Sequence, residues 1–149
     1  MRYRKLPYFD GCVVCGKKNP IGLKLDFYLN EEKNFVFAEV VFDKNYIGYD
    51  NIIHGGIVTT VLDEAMAWAN IELTGKMALT KSIKVNFLKP VKASLKYRVE
   101  SYLKERQDNK TTTVAVLKDS DESVCAESEG EFILMSETRS EKMKKGLTY

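Results

Sequence analysis

The chain has 149 residues, of which 44% are hydrophobic and 30% are charged, and its formal net charge is +2. This length fits one domain with its own core, and so small a charge gives no reason to expect nucleic acid or an anionic membrane as a partner. No apolar run approaches the roughly 20 residues of a membrane-spanning helix, and the basic start of the sequence lacks the apolar stretch of a signal peptide. We therefore expect a single cytoplasmic domain over residues 1–149 that does not insert into a membrane.

Residues 1–22 predict an irregular arm that carries a pair of cysteines. The pair reads Cys12-Val-Val-Cys15, and the Gly, Asn-Pro and Gly that follow predict successive turns. With Cys125 there are 3 cysteines, too few for a secreted disulfide framework, which favours a reduced compartment. A structural zinc ion usually has about four ligands, and the chain offers no second cysteine pair. We therefore assign no metal and favour simple packing under a turn, while a zinc ion shared across a dimer and a disulfide stay open.

Alternating apolar and polar residues predict two strands, over 23–29 and 35–42, which can pair as a hairpin. A loop then leads to the sequence Ile-Ile-His54-Gly55-Gly56. The stretch after the glycines is long and contains neither Pro nor Gly. This stretch predicts one long helix.

The start of this helix is the most informative point of the sequence. Gly55 and Gly56 allow a sharp turn and leave backbone N–H groups uncovered, where the helix dipole favours an oxygen with negative charge. Asp63 follows about two turns later, on the side opposite the apolar face. Glu64 points in another direction and is expected to be structural. From spacing alone, Asp63 fits a solvated helix carboxylate as well as a catalytic acid.

Four further strands are predicted by alternation, and a polar, Lys-rich segment follows them. The strands cover residues 79–88, 95–106, 111–118 and 123–135. Residues 136–149 show no apolar periodicity and predict a frayed or peripheral tail. About six strands with one substantial helix predict an α+β domain in which a sheet wraps around the helix.

Several of these motifs together resemble one family. Residues 53–56 (Ile-His-Gly-Gly), Asp63 on a helix, Thr80 and residues 86–91 (Asn-Phe-Leu-Lys-Pro-Val) resemble the hotdog-fold acyl-CoA thioesterases of the phenylacetyl-CoA thioesterase type. Residues 12–23, with Cys-x-x-Cys-Gly and Asn-Pro-x-Gly-Leu, resemble an N-terminal extension of one subgroup. The resemblance implies a curved antiparallel sheet around a central helix, in a homodimer or dimer of dimers whose active sites lie between subunits.

The resemblance also implies a role for each residue of the site. Gly55 supplies a backbone N–H to the thioester carbonyl oxygen, and Asp63 is the nucleophile or the general base. Thr80 is a supporting hydroxyl that can hold the hydrolytic water. His54 is expected to fix the turn through ring hydrogen bonds rather than to act as the base.

The implied ligand is an acyl-CoA, whose CoA moiety arrives with the substrate, so no separate cofactor is expected. We assign Gly56, Asn51, Lys84 and Lys89 to substrate binding, the lysines through the CoA phosphates, for which Lys92 is also available. The acyl group itself stays undetermined.

The sequence departs from the family in the loop before the histidine. Relatives often carry Gln or Asn six or seven residues before it, and here those positions are Ile47 and Gly48; Asn45 and Asn51 are nearby. This departure keeps a second hypothesis open, a hotdog module that binds acyl-CoA without hydrolysing it. A third, an acyl hydratase or dehydratase on the same fold, needs a histidine and an acid placed differently.

Overall fold

The computed structural model describes residues 1–149 and consists of one antiparallel sheet, a long helix and a short one. The sheet has seven strands in the order β1-β2-β3-β5-β6-β7-β4. The strands are β1 (Tyr3–Lys5), β2 (Tyr28–Asn30), β3 (Phe35–Val41), β4 (Ala78–Phe87), β5 (Lys96–Gln107), β6 (Lys110–Lys118) and β7 (Val124–Leu134), and the helices are α1 (Gly55–Thr74) and α2 (Glu137–Lys144). The predicted α+β class, with a sheet around a central helix, is confirmed.

Helix α1 packs against one face of the sheet and lies at the centre of the core. It ends at Gly75, which takes a left-handed φ of 76° and donates its N–H to Ile71 O. Its buried side includes Met66 and Trp68 beyond the predicted apolar face. The helix is therefore covered on two sides, by the sheet and by the N-terminal arm. None of the helices is long and apolar enough to cross a membrane.

The prediction for the first strand was wrong over most of its length. Only Tyr28–Asn30 is extended within the sheet, because Lys24 has a positive φ of 55° that interrupts residues 23–29. The N–H groups of Leu23 and Leu25 donate instead to carbonyl groups of the cysteine loop. The predicted irregular arm in turn contributes β1, which pairs with β2 and brings the sheet to seven strands.

Of the two alternatives predicted for residues 136–149, a frayed or a peripheral tail, the structure shows a peripheral one that contains helix α2. Ser136 caps α2 by accepting a hydrogen bond from Arg139 N at 3.2 Å. Ser140 is buried, and its Oγ accepts from Met77 N at 3.1 Å, while Thr148 pairs with Tyr8 of the arm. The helix is attached through polar groups, so it leaves no apolar periodicity in the sequence.

Strand β4 forms an open edge of the sheet. It pairs with β7 on one side and with no strand on the other. Its side chains include exposed apolar groups, Leu79 at 52% and Phe87 at 55% exposure. A long unpaired edge with apolar side chains is a surface suited to pairing with another strand.

A buried amide joins α1 to the sheet. Asn70 is fully buried; its Nδ2 donates to Met66 O at 2.9 Å and to Thr113 Oγ1 at 3.1 Å, and Thr111 Oγ1 donates to its Oδ1. The hydroxyls of Thr111 and Thr113 have no other hydrogen-bond partner in the chain, so removing the amide leaves them unpaired in the core.

We expect Asn70→Ala to lower the free energy of unfolding by about 2–4 kcal/mol, since it combines lost buried hydrogen bonds with a small cavity. Urea denaturation measures this change. The exposed Asn45→Ala is the matched control and is expected to change stability by less than about 0.5 kcal/mol. Equal effects of the two substitutions would contradict the role given to Asn70.

Candidate active site

The imidazole of His54 closes the N-terminus of α1. Its Nδ1 accepts a hydrogen bond from Gly56 N at 2.9 Å, and its carbonyl oxygen accepts from Ile57 N, also at 2.9 Å. Its own N–H donates to Tyr46 O, which ties the preceding loop to the helix. Because Nδ1 is an acceptor here, a neutral ring carries its proton on Nε2.

The capping leaves one first-turn amide free. Gly56 donates to His54 and the next residue donates to the His54 carbonyl, but the Gly55 N–H makes no hydrogen bond within the chain. Gly55 lies beside the ring of Phe87: a Cβ added at Gly55 would be 3.3 Å from Phe87 Cζ. A free N–H at the positive end of a helix can hold a developing oxyanion.

The free amide opens into an apolar groove of about 330 Å³, with seven hydrophobic residues among its ten lining residues. The groove is lined by Tyr49, Ile52, Ile53, Gly55, Val58, Phe87, Leu88, Lys89, Pro90 and Val91. It combines an apolar surface with one backbone donor and one cation. These are the features of a site for an apolar group attached to a polar, anionic one.

Asp63 is held by Thr80 across the gap between helix and sheet. Thr80 Oγ1 donates to Asp63 Oδ1 at 2.8 Å, and the carboxylate is half-buried. This bond fixes the side chain of Asp63 and leaves its second oxygen available.

A bulge in β4 makes this contact possible. Thr80 pairs with Phe132 and Ser82 with Glu131, so Lys81 is an extra residue between two successive pairs. Strict alternation would put Thr80 and Ile83 on opposite faces of the sheet. The bulge turns both towards α1, and the sequence pattern alone did not predict it.

Gly55 and Asp63 of one chain lie too far apart to act on one thioester. At about 1.5 Å per residue, α1 separates them by roughly 12 Å. Reacting atoms must come within about 3–3.5 Å of each other. Asp63 of the same chain is therefore out of direct reach of a carbonyl group held at Gly55 N.

Of the four residues predicted to bind substrate, only Lys89 lines the groove. Lys84 pairs with Glu129 on the outer face of the sheet, away from α1. Asn51 is exposed, and its carbonyl accepts from Ala93 N at 3.1 Å. The N–H of Gly56 is occupied by the imidazole.

The loop before His54 has no side-chain donor at the two positions noted above. Ile47 forms an isolated bridge with Ile53, and Gly48 lies against His54, where an added Cβ would be 3.5 Å from the His54 Cα. Sequence reasoning missed Tyr49, which lines the groove and is 79% exposed. No periodicity or motif singles it out.

Glu64 faces away from this groove, as predicted. Its Oε1 accepts from Trp68 Nε1 at 3.2 Å and lies 3.3 Å from Cys12 Sγ. Burial, followed by the negative charge of Cys12, raises the pKa of the Glu64 carboxyl to about 8. Asp63 and Glu64 are consecutive on α1 but therefore lie in different environments.

Comparison with known proteins gives the family. Residues 50–126 match the model of the Thioesterase superfamily. This match covers more than half of the chain and includes the glycine turn, Asp63 and Thr80. The chain belongs to the Thioesterase superfamily.

The chain is also similar to individual proteins and solved structures. An uncharacterised protein of Schizosaccharomyces pombe is 31% identical over 91 residues, which are 58% of this chain and 52% of that protein. The crystal structure of a thioesterase superfamily protein matches with a TM-score of 0.78 and 22% identity over 83% of this chain and 60% of that chain. An acyl-CoA hydrolase of Staphylococcus aureus, solved in complex with butyryl-CoA and CoA, matches with a TM-score of 0.66 and 17% identity over 72% of this chain and 66% of its own.

The structural matches confirm the predicted hotdog fold. The chain spans about half the length of the fission-yeast relative and 60% of the thioesterase superfamily structure.

The cap gives a prediction of its own. We expect His54→Ala to lower the free energy of unfolding by about 0.5–2 kcal/mol, because the N–H of Gly56 loses its partner. His54→Asn, whose side-chain oxygen can cap the same amide, is expected to keep most of this stability. Thermal or urea denaturation of the two variants compares them, and an equal loss in both would contradict the capping role.

Proposed function

We propose that the chain hydrolyses the thioester of an acyl-CoA to a free acid and CoA, at sites shared between two copies. The observation that carries this proposal is the free Gly55 N–H in an apolar groove, on the helix that also holds Asp63. Membership of the Thioesterase superfamily supports the reaction type. The butyryl-CoA and CoA bound to the Staphylococcus aureus hydrolase support CoA as the carrier.

Two features support a second copy: the distance between Gly55 and Asp63 of one chain, and the open edge of strand β4. Since Gly55 and Asp63 of one chain are roughly 12 Å apart, the acid must come from a neighbour. The exposed edge of β4 is the surface through which a second copy would pair, and β4 carries both Thr80 and Phe87. Pairing there would bring the partner subunit's Asp63 towards the groove of the first copy, in a homodimer or a dimer of dimers.

In this arrangement the thioester carbonyl oxygen accepts a hydrogen bond from Gly55 N–H. As the tetrahedral state forms, negative charge grows on that oxygen and the helix N-terminus stabilises it. Asp63 either attacks the carbonyl carbon, giving an anhydride that water then opens, or takes a proton from an attacking water. Either route releases CoA as a thiol and the acyl group as a carboxylate.

The remaining residues support these two groups. Thr80 orients the Asp63 carboxylate, and His54 fixes the turn that presents Gly55. Lys89 is available to the CoA phosphates at the groove. Because CoA enters with the substrate, the reaction needs no separate cofactor.

One observation favours a second candidate, a module that binds acyl-CoA without turnover. With Ile47 and Gly48 before the histidine, the groove lacks the side-chain amide that relatives often use, and only Gly55 is left to polarise the carbonyl. The hydratase alternative is disfavoured, since Nδ1 of the single histidine is engaged with Gly56.

A proline at position 55 tests the amide directly. Proline is tolerated at the first position of a helix and lacks only the N–H, and His54 already has an extended ψ of 131° that suits a following proline. We expect Gly55→Pro to lower kcat by about 100–1,000-fold, the usual effect of losing an oxyanion donor.

Gly55→Ala is the matched control, because it meets the same Phe87 ring but keeps the N–H. It is expected to retain far more activity than the proline variant. If both variants lose activity equally in an acyl-CoA hydrolysis assay, contact with Phe87 and not the amide is responsible.

Replacement of the acid separates the two candidate functions. We expect Asp63→Asn to lower kcat by at least about 100-fold on a panel of acyl-CoAs while calorimetry shows retained binding, since the amide is neither base nor nucleophile. Asp108→Asn, at an exposed turn with a φ of 56° that Asn tolerates, is the matched control. Tight binding with no turnover by the unaltered protein would support the binding module instead.

A further inference from the structure

We propose that Cys12, Cys15 and Glu64 form a zinc site that fastens the N-terminal arm to helix α1. The sulfur atoms of the two cysteines and a carboxylate oxygen of Glu64 all lie within 4.8 Å of one another. The cysteines belong to the arm and the glutamate to the helix. The site is separate from the groove at Gly55 and does not depend on the thioesterase proposal.

The spacing of these atoms suits a tetrahedral ion. With Zn–S at about 2.3 Å and Zn–O at about 2.1 Å, a sulfur and an oxygen ligand lie about 3.6 Å apart. Cys12 Sγ and Glu64 Oε1 are 3.3 Å apart. Small movements of three side chains would therefore complete the coordination, and two thiolates favour zinc over magnesium or calcium.

The backbone of the cysteine loop is already arranged for a thiolate. The N–H groups of Val14 and Cys15 donate to Cys12 Sγ at 3.3 and 3.5 Å. Gly16 closes the turn so tightly that an added Cβ would lie 2.5 Å from Cys12 O. These contacts stabilise negative charge on the sulfur, and the loop follows the pattern Cys-x-x-Cys-Gly.

Glu64 is oriented towards the cysteines and lacks a cation. Trp68 Nε1 donates to its Oε1 at 3.2 Å, as outer-shell donors do for metal-binding carboxylates. No Lys, Arg or His of the chain forms an ion pair with it. A bound zinc ion would hold the Cys12 thiolate and the Glu64 carboxylate in their charged forms and compensate the cost of burying those charges.

Three ligands from the chain leave one position of a tetrahedral ion for solvent. Cys12 and Glu64 are only half-buried, so water can reach this position, whereas Cys15 is buried in the core. Such a site joins residue 64 of α1 to the loop at residues 12–15. We expect it to stabilise the packing of the arm over Trp68.

Metal analysis of the reduced, untagged protein tests the site. We expect about one zinc ion per chain by mass spectrometry of the metal, and binding of Co²⁺ to the zinc-free protein with the absorption bands of tetrahedral thiolate coordination. Cys12→Ser and Cys15→Ser are expected to lose stoichiometric metal. Glu64→Gln is expected to weaken binding by more than about tenfold. Cys125→Ser, which replaces the remaining cysteine, is the matched control and keeps the metal.

Stability gives an independent readout. A strong chelator is expected to lower the melting temperature of the unaltered protein and of Cys125→Ser but not that of Cys15→Ser, because metal affinity for the folded state stabilises it. Circular dichroism checks that each variant is folded. If a cysteine variant does not fold, Glu64→Gln, whose side chain keeps the shape of glutamate, provides the test instead.

Three results would overturn the proposal. The reduced protein could take up neither zinc nor cobalt, the cysteine variants could bind metal as the unaltered protein does, or metal could bind at one ion per two chains. A titration of free thiols that finds only Cys125 reactive without reductant, with no metal present, would show a disulfide instead.

Discussion

The length of helix α1 fixes the distance between the two groups that the proposed reaction needs. Helix α1 begins at the free amide of Gly55 and carries Asp63 further along, so the two groups are roughly 12 Å apart in every copy. Neither can leave this geometry, because the helix is buried between sheet and arm. The proposed reaction, which uses both groups, therefore combines two chains, and the open β4 edge is the surface proposed for their pairing.

Local irregularities in strand β4 and at the start of helix α1 position the Asp63 carboxylate and the Gly55 amide. The bulge at Lys81 turns Thr80 towards Asp63, and the same strand ends with Phe87 beside Gly55. A regular strand would place Thr80 on the outer face. At the helix start, His54 occupies the Gly56 N–H and so leaves a single donor free. The apolar groove and the acid are thus both organised by β4 and α1.

Much of the fold could be predicted because it follows from local patterns. Glycines bound the long helix, and alternation marks β5, β6 and β7 to within a residue or two. The exceptions come from features that periodicity does not record. Lys24 takes a positive φ, α2 is attached by polar contacts of Ser140, and a single extra residue reverses the faces of β4. The approach of Glu64 to the cysteine pair was not predicted, because only the folded arm brings them together.

The most direct test of the shared site is a crystal structure of the Asp63→Asn variant with an acyl-CoA bound. We expect the thioester oxygen within about 3 Å of Gly55 N of one subunit, with the side chain at position 63 of the partner subunit next to the carbonyl carbon. A thioester that lies away from Gly55 N, or a chain that binds acyl-CoA as a monomer with no second copy at the groove, would contradict it.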